Sequence, residues 1–357
     1  MKKITTLLLG FLFSMTLAQA PATYYNGTAG LKGATLKTKL SQIISAGMQD
    51  KGYNALLTAY KKTDTDNFYE KDGTVLDMYS ENPTGPDPYN YNHGQKNCGN
   101  IGKQEGGCYN REHVIPQSFF DKRSPMVSDI HHIRPTDGKV NGYRGTYPFG
   151  VVQNASIITL NGSKIGSSGS AGYAGTVFEP IDEFKGDIAR MIFYFATRYE
   201  SQLSGFSSGD ILGGSAFPGL QNWELEVLKT WAALDPVSPA EVVRNNESYA
   251  FQNNRNPFID NEQWITDIWG AALATDESNA VKYSFKVYPN PVKNGELNVS
   301  GKDLANATTA QIFDATGKLV QTVSQPFKNS NKIVLSSLPR GIYILNIGQE
   351  IAKFIVE

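Results

Sequence analysis

The spacing of apolar and polar residues divides the chain into two parts of different character. In the first part, apolar residues recur every three to four positions, as on one face of an amphipathic helix. A proline that directly follows Ser238 marks a favourable helix start. The pattern predicts helices around residues 36–44, 53–60, 183–198, 223–234 and 239–252, a strand at 75–79, and an exposed small-residue loop at 163–175.

After about residue 276 the pattern changes to short β-prone runs that are separated by turn residues. Evenly spaced short strands of this kind are typical of a β-sandwich. The runs lie at residues 283–287, 296–299, 309–313, 319–323, 332–335, 342–347 and 351–356. We therefore predict an α+β protein in which a mainly helical domain (21–275) is joined by a linker (276–282) to a small β-sandwich domain (283–357).

The N-terminal segment has the pattern of a secretory signal peptide. Lys2 and Lys3 precede an apolar run, and Ala18-Gln19-Ala20 provides a small-residue cleavage site. The run is short for a membrane span, and no other segment is long and apolar enough to be one. We expect residues 1–20 to be removed and the mature protein to lie outside the cytoplasm without stable membrane insertion.

The overall charge excludes a broadly basic protein. The formal net charge is -1, and loss of Lys2 and Lys3 with the signal peptide would make it -3. Any binding of nucleic acid must therefore use a local basic groove.

The chain has two cysteines, Cys98 and Cys108, which flank a glycine-rich loop. In an exported protein this arrangement predicts a disulfide bond that closes the loop. A zinc site that also uses His93 or His113 is the alternative, although structural zinc ligands usually come in closely spaced pairs on each side.

Three of the four histidines lie in one short stretch that also contains Glu112, Asn141 and several arginines. Hydrolysis of a phosphodiester needs a base for water, a hard cation and cationic donors to the phosphate. Histidine is the side chain that exchanges protons near pH 7, and carboxylate and carboxamide oxygens suit hard divalent ions. The residues predict His113 as the base, with Glu112 and Asn141 as metal ligands.

The same stretch predicts a compact local fold. A β-prone run at residues 111–115 is followed by Thr136, which can act as the N-cap of a short helix that carries Asn141. Strand, loop and helix would then surround one ion. Three cationic side chains are close enough in sequence to line an anionic groove: Arg134, Lys139 and Arg144.

The motif Asn-Arg-Glu-His-Val-Ile-Pro (110–116), followed by Ser-Asp-Ile-His-His-Ile-Arg-Pro-Thr-Asp-Gly-Lys-Val-Asn-Gly (128–142), resembles the endonuclease I family of secreted and periplasmic bacterial nucleases. Residues 77–80 and 254–258 resemble further family signatures, and the similarity covers roughly residues 31–269. The resemblance implies a ββα-metal (His-metal finger) site within a mainly helical domain. It also implies cleavage of DNA, and often of RNA, with little sequence preference.

Carried over by position, the resemblance implies that His113 is the general base and that Glu112 and Asn141 bind Mg²⁺ or another hard divalent ion such as Mn²⁺ or Ca²⁺. The products would carry 5′-phosphates. The family also places an arginine on the scissile phosphate. Arg134 is the first choice for it, with Arg144 and Arg123 behind. Two neighbouring polar residues are expected to have supporting or structural roles: Asp129 and His131.

The C-terminal part has its own resemblance. Lys-Val-Tyr-Pro-Asn-Pro (286–291) and Leu-Pro-Arg-Gly-Ile-Tyr-Ile-Leu (338–345) resemble a type IX secretion (type A) sorting domain. Such a domain implies contact with the type IX secretion machinery and a protein that is secreted or attached to the outer cell surface. The chain ends in Glu357, where these domains often end in a basic residue.

These observations predict a secreted, monomeric, divalent-metal-dependent and sequence-nonspecific endonuclease. One alternative is a surface-displayed nucleic-acid-binding protein on a catalytically inactive nuclease fold. Another is a metal-dependent phosphoesterase that acts on smaller diesters. The presence of Glu112, His113 and Asn141 together favours the nuclease.

Overall fold

A computed structural model describes residues 20–98, 102–270, 285–301, 304–315, 317–328, 330–348 and 350–357. The predicted linker and all but the last residue of the predicted signal peptide lie outside the described residues.

The part that precedes residue 270 is built mainly from helices. They are α1 (Gly33–Ser45), α2 (Leu56–Thr63), α3 (Gly138–Arg144), α4 (Lys185–Arg198), α5 (Asn222–Leu234), α6 (Pro239–Gln252), α7 (Pro257–Asp260) and α8 (Gln263–Trp269). Helix α4 is buried along almost its whole length and packs against α1, α5 and α7. The core of this part therefore forms around α4, and the helices predicted from apolar spacing are confirmed.

Helix α6 shows how local sequence sets an element's start. The Ser238 side chain accepts a hydrogen bond from the Glu241 backbone, and the Glu241 carboxylate accepts one from the Ser238 backbone N–H. This reciprocal capping satisfies amides that the first turn leaves without partners. The predicted start at Pro239 is confirmed.

Two antiparallel strands, β1 (Tyr109–His113) and β2 (Ile133–Asp137), are followed directly by α3. Glu112 lies opposite Arg134, and His113 lies opposite Ile133. The Asp137 side chain caps α3 by accepting hydrogen bonds from the Lys139 and Val140 amides. The prediction of Thr136 as the cap is wrong by one residue, because Thr136 still belongs to β2.

A second sheet consists of β3 (Val152–Ile158), β4 (Lys164–Ser168) and β5 (Thr176–Glu179), with β4 in the middle. The prediction of a loop at residues 163–175 is wrong over the length of β4. A Cβ atom on Gly166 would lie 2.0 Å from the Asn154 carbonyl oxygen, so the small residue lets the strands approach. The predicted strand at 75–79 is also wrong, because Val75 forms only an isolated bridge with Thr65.

The C-terminal part is β-rich. Its strands are β6 (Phe285–Tyr288), β7 (Glu296–Gly301), β8 (Thr309–Asp314), β9 (Leu319–Ser324), β10 (Lys332–Val334), β11 (Gly341–Ile347) and β12 (Glu350–Val356). They form two antiparallel sheets, in the orders β10-β7-β6 and β12-β11-β8-β9. Apolar side chains from both sheets form one hydrophobic cluster that includes Leu297 and Leu345. All seven predicted runs are confirmed as strands within a residue or two, although residues 283–284 at the start of the first run lie outside the described residues.

Across the described part of the chain, no helix has both the length and the apolar character that a membrane span requires.

Candidate active site

Glu112 is a buried carboxylate near the end of β1. Its Oε1 accepts a hydrogen bond of 3.0 Å from the Tyr79 hydroxyl and forms an ion pair of 3.1 Å with Arg144. Burial raises the pKa of Glu112 to about 7, and the opposing pull of Arg144 and Tyr79 limits the rise. Its other oxygen, Oε2, has no hydrogen-bond partner among the described residues.

His113 is held with a defined tautomer. Its Nε2 lies 3.1 Å from the Val127 carbonyl oxygen. Because a carbonyl can only accept, Nε2 carries the proton and Nδ1 keeps its lone pair. Burial, followed by the neighbouring His132, lowers the pKa of His113 to about 3. The imidazole is therefore neutral at pH 7 and can take up a proton at Nδ1.

Tyr53 joins two residues of β1. Its ring stacks on the His113 imidazole, with 5.9 Å between centroids and 21° between planes, and the Arg111 guanidinium lies 4.0 Å from the Tyr53 centroid. His113 and Arg111 are two positions apart and share one face of the strand. The tyrosine thus fixes the orientation of the imidazole from a segment that lies far from it in sequence.

Asn141 lies on α3 and is half-buried. Its Nδ2 donates a hydrogen bond of 3.3 Å to the Arg111 carbonyl oxygen, which ties α3 to β1. This contact leaves Oδ1 without a partner among the described residues. The unit β1-β2-α3 therefore contains one carboxylate oxygen of Glu112 and one carboxamide oxygen of Asn141 that accept no hydrogen bond from the described residues.

Two of the candidate phosphate-binding arginines are committed to buried contacts. Arg134 is 2% exposed and forms ion pairs of 2.9 Å with Asp64 and 3.3 Å with Asp187. Arg144 pairs with Glu112 and also donates to the backbone carbonyls of His113 and Val114. Both guanidinium groups hold the protein together and have little freedom to contact a ligand.

Arg123 and Lys139 are more accessible. The Arg123 side chain is 50% exposed, and its Nε donates a hydrogen bond of 3.0 Å to the Phe120 carbonyl. The Phe120 ring lies 6.4 Å from the His113 ring, so Arg123 bonds the backbone of a residue that packs beside His113. Lys139 is half-buried, with its Nζ 4.8 Å from the centroid of the Tyr143 ring.

Asp129 and His131 are buried in the region that leads into β2. Asp129 Oδ2 accepts hydrogen bonds from the hydroxyls of Tyr194 (2.8 Å) and Tyr199 (2.7 Å), and His131 Nε2 bonds the Asn254 carbonyl. Burial alone would raise the pKa of Asp129, but nearby positive charge, His131 foremost, holds it below its usual range. Burial lowers the pKa of His131 to about 4.

Cys98 and Cys108 form a disulfide bond, as predicted, and the described residues include no free cysteine. The Cys108 carbonyl accepts a hydrogen bond of 2.8 Å from the Gly138 amide at the start of α3. A Cβ atom on Gly138 would lie 2.8 Å from Cys98 Sγ, so the disulfide packs closely against the helix that carries Asn141.

Comparison with known proteins agrees with this arrangement. Residues 32–263, which contain the whole β1-β2-α3 unit, match the family described as Endonuclease I. The chain belongs to the endonuclease I family.

The chain is similar to an extracellular ribonuclease of Bacillus amyloliquefaciens, with 35% identity over 253 residues (69% of this chain and 78% of the relative). An extracellular ribonuclease of Bacillus subtilis (strain 168) is 34% identical over 270 residues (73% and 84%). An Endonuclease-1 of Buchnera aphidicola subsp. Baizongia pistaciae (strain Bp) is 26% identical over 134 residues (38% and 46%). Family and relatives together identify the protein as a nuclease.

Residues 286–357 match a secretion system C-terminal sorting domain. The predicted resemblance to a type IX sorting domain is thereby confirmed. Together with relatives that are named extracellular, it shows that this endonuclease I family member is secreted or located at the cell surface.

Three residues at the site received no role from the sequence. Tyr53, Tyr79 and Arg111 contact His113 or Glu112 directly or through one another. Tyr79 and Arg111 lie inside motifs that resemble the family, which was a signal for both. Tyr53 follows the spacing of a buried helix face, and that spacing offers no sign of its contact with His113.

Proposed function

We propose that this protein is a divalent-metal-dependent, sequence-nonspecific endonuclease that hydrolyses phosphodiester bonds of DNA, and also of RNA, to products with 5′-phosphates. One observation carries the proposal: a neutral His113 with a free Nδ1 follows Glu112 on the strand that is tied to Asn141 of α3. In this proposal β1-β2-α3 is the ββα-metal motif. The relatives that are named ribonucleases are the reason to include RNA.

The donor set fits a hard divalent cation such as Mg²⁺. Glu112 Oε2 and Asn141 Oδ1 are hard oxygen ligands without another described partner, and two protein ligands with several waters are typical of Mg²⁺ sites. When bound, the ion would supply positive charge that stabilises the charge developing on the phosphate and on the leaving oxygen. Burial raises the pKa of Glu112 to about 7, and a bound cation would stabilise the ionised carboxylate.

His113 acts on water. Nδ1 accepts a proton as the water oxygen attacks phosphorus, and the bond from phosphorus to the 3′ oxygen breaks. The Val127 carbonyl keeps Nε2–H in place and stabilises the imidazolium that forms. Tyr53 prevents the ring from turning, so Nδ1 stays directed at the water position.

Arg123 is the residue we assign to the scissile phosphate. It is the most exposed of the three candidate arginines, and a planar guanidinium suits bidentate contact with phosphate oxygens. Arg134 and Arg144 have supporting roles through their buried ion pairs. Lys139 adds positive charge at the groove. We further propose residues 21–275 as the nuclease domain, 276–282 as the linker, and 283–357 as the sorting domain.

A nicking assay tests the proposal. The mature protein, with Mg²⁺ or with EDTA, is incubated with supercoiled plasmid and with RNA. We expect cleavage only with Mg²⁺, and its loss in His113→Ala. The matched control is His93→Ala, which removes an imidazole that bonds the Thr65 hydroxyl elsewhere in the chain.

Two results would contradict the proposal. One is full activity in folded His113→Ala. The other is a folded protein that retains DNA in a salt-sensitive manner but does not cleave it, whichever divalent ion is added. That result would support the binding-protein alternative.

A further inference from the structure

A cluster of carboxylates lies on the segment between α2 and β1, at residues 66–81. One carboxylate oxygen from each of Asp66, Glu70 and Glu81 lies within 4.8 Å of the others. Asp66 and Glu81 are buried, and Glu70 is exposed. None of the three has a role in the proposed hydrolysis. They also form no ion pair with a basic side chain in the part of the chain that the structure describes.

Glu81 provides an independent sign of a ligand. It is 1% exposed, and its Oε1 is buried without a hydrogen-bond partner among the described residues. Buried carboxylate oxygens are almost always hydrogen-bonded, paired or bound to a metal. By contrast, the Asp66 carboxylate already accepts bonds of 3.0 Å from the amides of Phe68 and Tyr69, which fixes it in position.

We propose that Asp66, Glu70 and Glu81 bind one calcium ion, separate from the catalytic cation. Calcium takes oxygen ligands at about 2.3–2.6 Å, so oxygens on opposite sides of it stand about 4.6–5.2 Å apart. The three carboxylate oxygens all lie within 4.8 Å of one another, so none of the pairs exceeds the span of one calcium ion. Magnesium requires about 2.0–2.1 Å and near-ideal octahedral geometry, which is a tighter arrangement. The exposed side of Glu70 leaves the remaining coordination positions open to water.

The competing explanation is a protonated glutamic acid. Burial, followed by the charges of Asp87 and Glu70, raises the pKa of Glu81 to about 9. Without a cation, the carboxyl group would then keep its proton at neutral pH. This explanation predicts no calcium binding, whereas the proposed site releases the proton when calcium binds.

The site would support the nuclease centre from a distance. The Glu81 amide donates a hydrogen bond of 2.9 Å to the Asp77 carbonyl, which closes a turn that contains Tyr79. The Tyr79 hydroxyl in turn bonds Glu112. Calcium at Glu81 would therefore fix the turn that holds the catalytic carboxylate, and it would do so whether or not the proposed hydrolysis is correct.

Calcium titration of the full mature chain tests the site. The starting protein carries Glu112→Gln and Asn141→Ala, which removes the proposed catalytic ligands. Isothermal titration calorimetry with CaCl₂ alone should show one bound equivalent, and calcium should raise the melting temperature. Adding Glu81→Gln should weaken binding roughly tenfold or more, because the number of charged ligands sets calcium affinity. Glu226→Gln, the same change on helix α5 outside the cluster, should leave it unaltered.

Glu70→Gln serves as a second variant, because an exposed position tolerates the change without loss of folding. It should also weaken calcium binding. Absence of binding in the starting protein, or equal binding in the Glu70→Gln and Glu81→Gln variants and the control, would overturn the proposal.

Discussion

The contrasting environments of Arg134 and Arg123 lead to a prediction that separates structural from catalytic roles. Both residues are replaced by methionine, which keeps an unbranched apolar stem but removes the guanidinium group and its charge. Arg134→Met should destabilise the protein with little change in the specific activity of the folded fraction. Arg123→Met should remove most of the activity with little change in stability.

The expected loss of stability follows from the contacts of Arg134. Removing one partner of a buried ion pair costs about 3–5 kcal/mol, because a charge is left buried without compensation. Here Asp64 keeps an ion pair of 2.9 Å with Arg244, and Asp187 keeps one of 3.7 Å with Arg190. The loss should therefore lie at the lower end, at about 3 kcal/mol. Arg123 is half-exposed, and its replacement should change stability by about 0.5 kcal/mol or less.

Urea unfolding followed by tryptophan fluorescence measures this difference. All four tryptophans precede residue 270, so the signal reports on the nuclease part. With a slope of about 3 kcal/mol per molar urea, Arg134→Met should lower the midpoint by about 1 M. Loss of a donor to the developing phosphate charge should reduce kcat of Arg123→Met roughly a hundredfold. A stable Arg134→Met without activity, or a fully active Arg123→Met, would refute the reasoning.

Three further predictions concern the support of the site. Tyr53→Leu should lower kcat by roughly tenfold to a hundredfold, because small displacements of a catalytic group are costly; an unchanged rate would show that the ring does not position His113. Cys98→Ser should lower the free energy of unfolding by roughly 2–3 kcal/mol in urea titrations, because a short closed loop is released. Equal unfolding midpoints of the unsubstituted protein with and without reductant would contradict this. The unfolded chain protonates His131 near pH 6.5 and the folded protein only near pH 4, so acid in this window favours unfolding. Between pH 7 and pH 5 the folded state should lose about 2 kcal/mol at this residue, and His131→Gln should show a smaller loss over the same range.

The elements with strong local signals could be predicted from the sequence. Ser238, Pro239 and Glu241 define the start of α6 by contacts within one turn. The C-terminal strands follow from alternation and turn residues. Strand β4 could not be predicted in this way, because Gly166 and its small neighbours give no alternation. Its conformation depends on the pairing of two other strands with it.

The candidate site divides in the same manner. Glu112, His113 and Asn141 occur within one β1-β2-α3 unit, so a local motif indicates that they lie close together. The ring that orients His113 and the hydroxyl that bonds Glu112 come from Tyr53 and Tyr79, which tertiary packing brings to the site. The partners of Arg134 are likewise distant in sequence. The position of Arg134 within the motif therefore predicted that it lies near the site, but it gave no indication that Arg134 is held in ion pairs with Asp64 and Asp187.

The disulfide bond between Cys98 and Cys108 has a consequence for the cell that makes this nuclease. Such bonds form in oxidising compartments, whereas cysteine thiols are kept reduced in the cytoplasm. Because this one packs against Gly138, the first residue of α3, the helix that carries Asn141 gains the packing support of the closed disulfide only after export. Completion of the enzyme is thereby coupled to its departure from the compartment that holds the producer's own chromosome and transcripts.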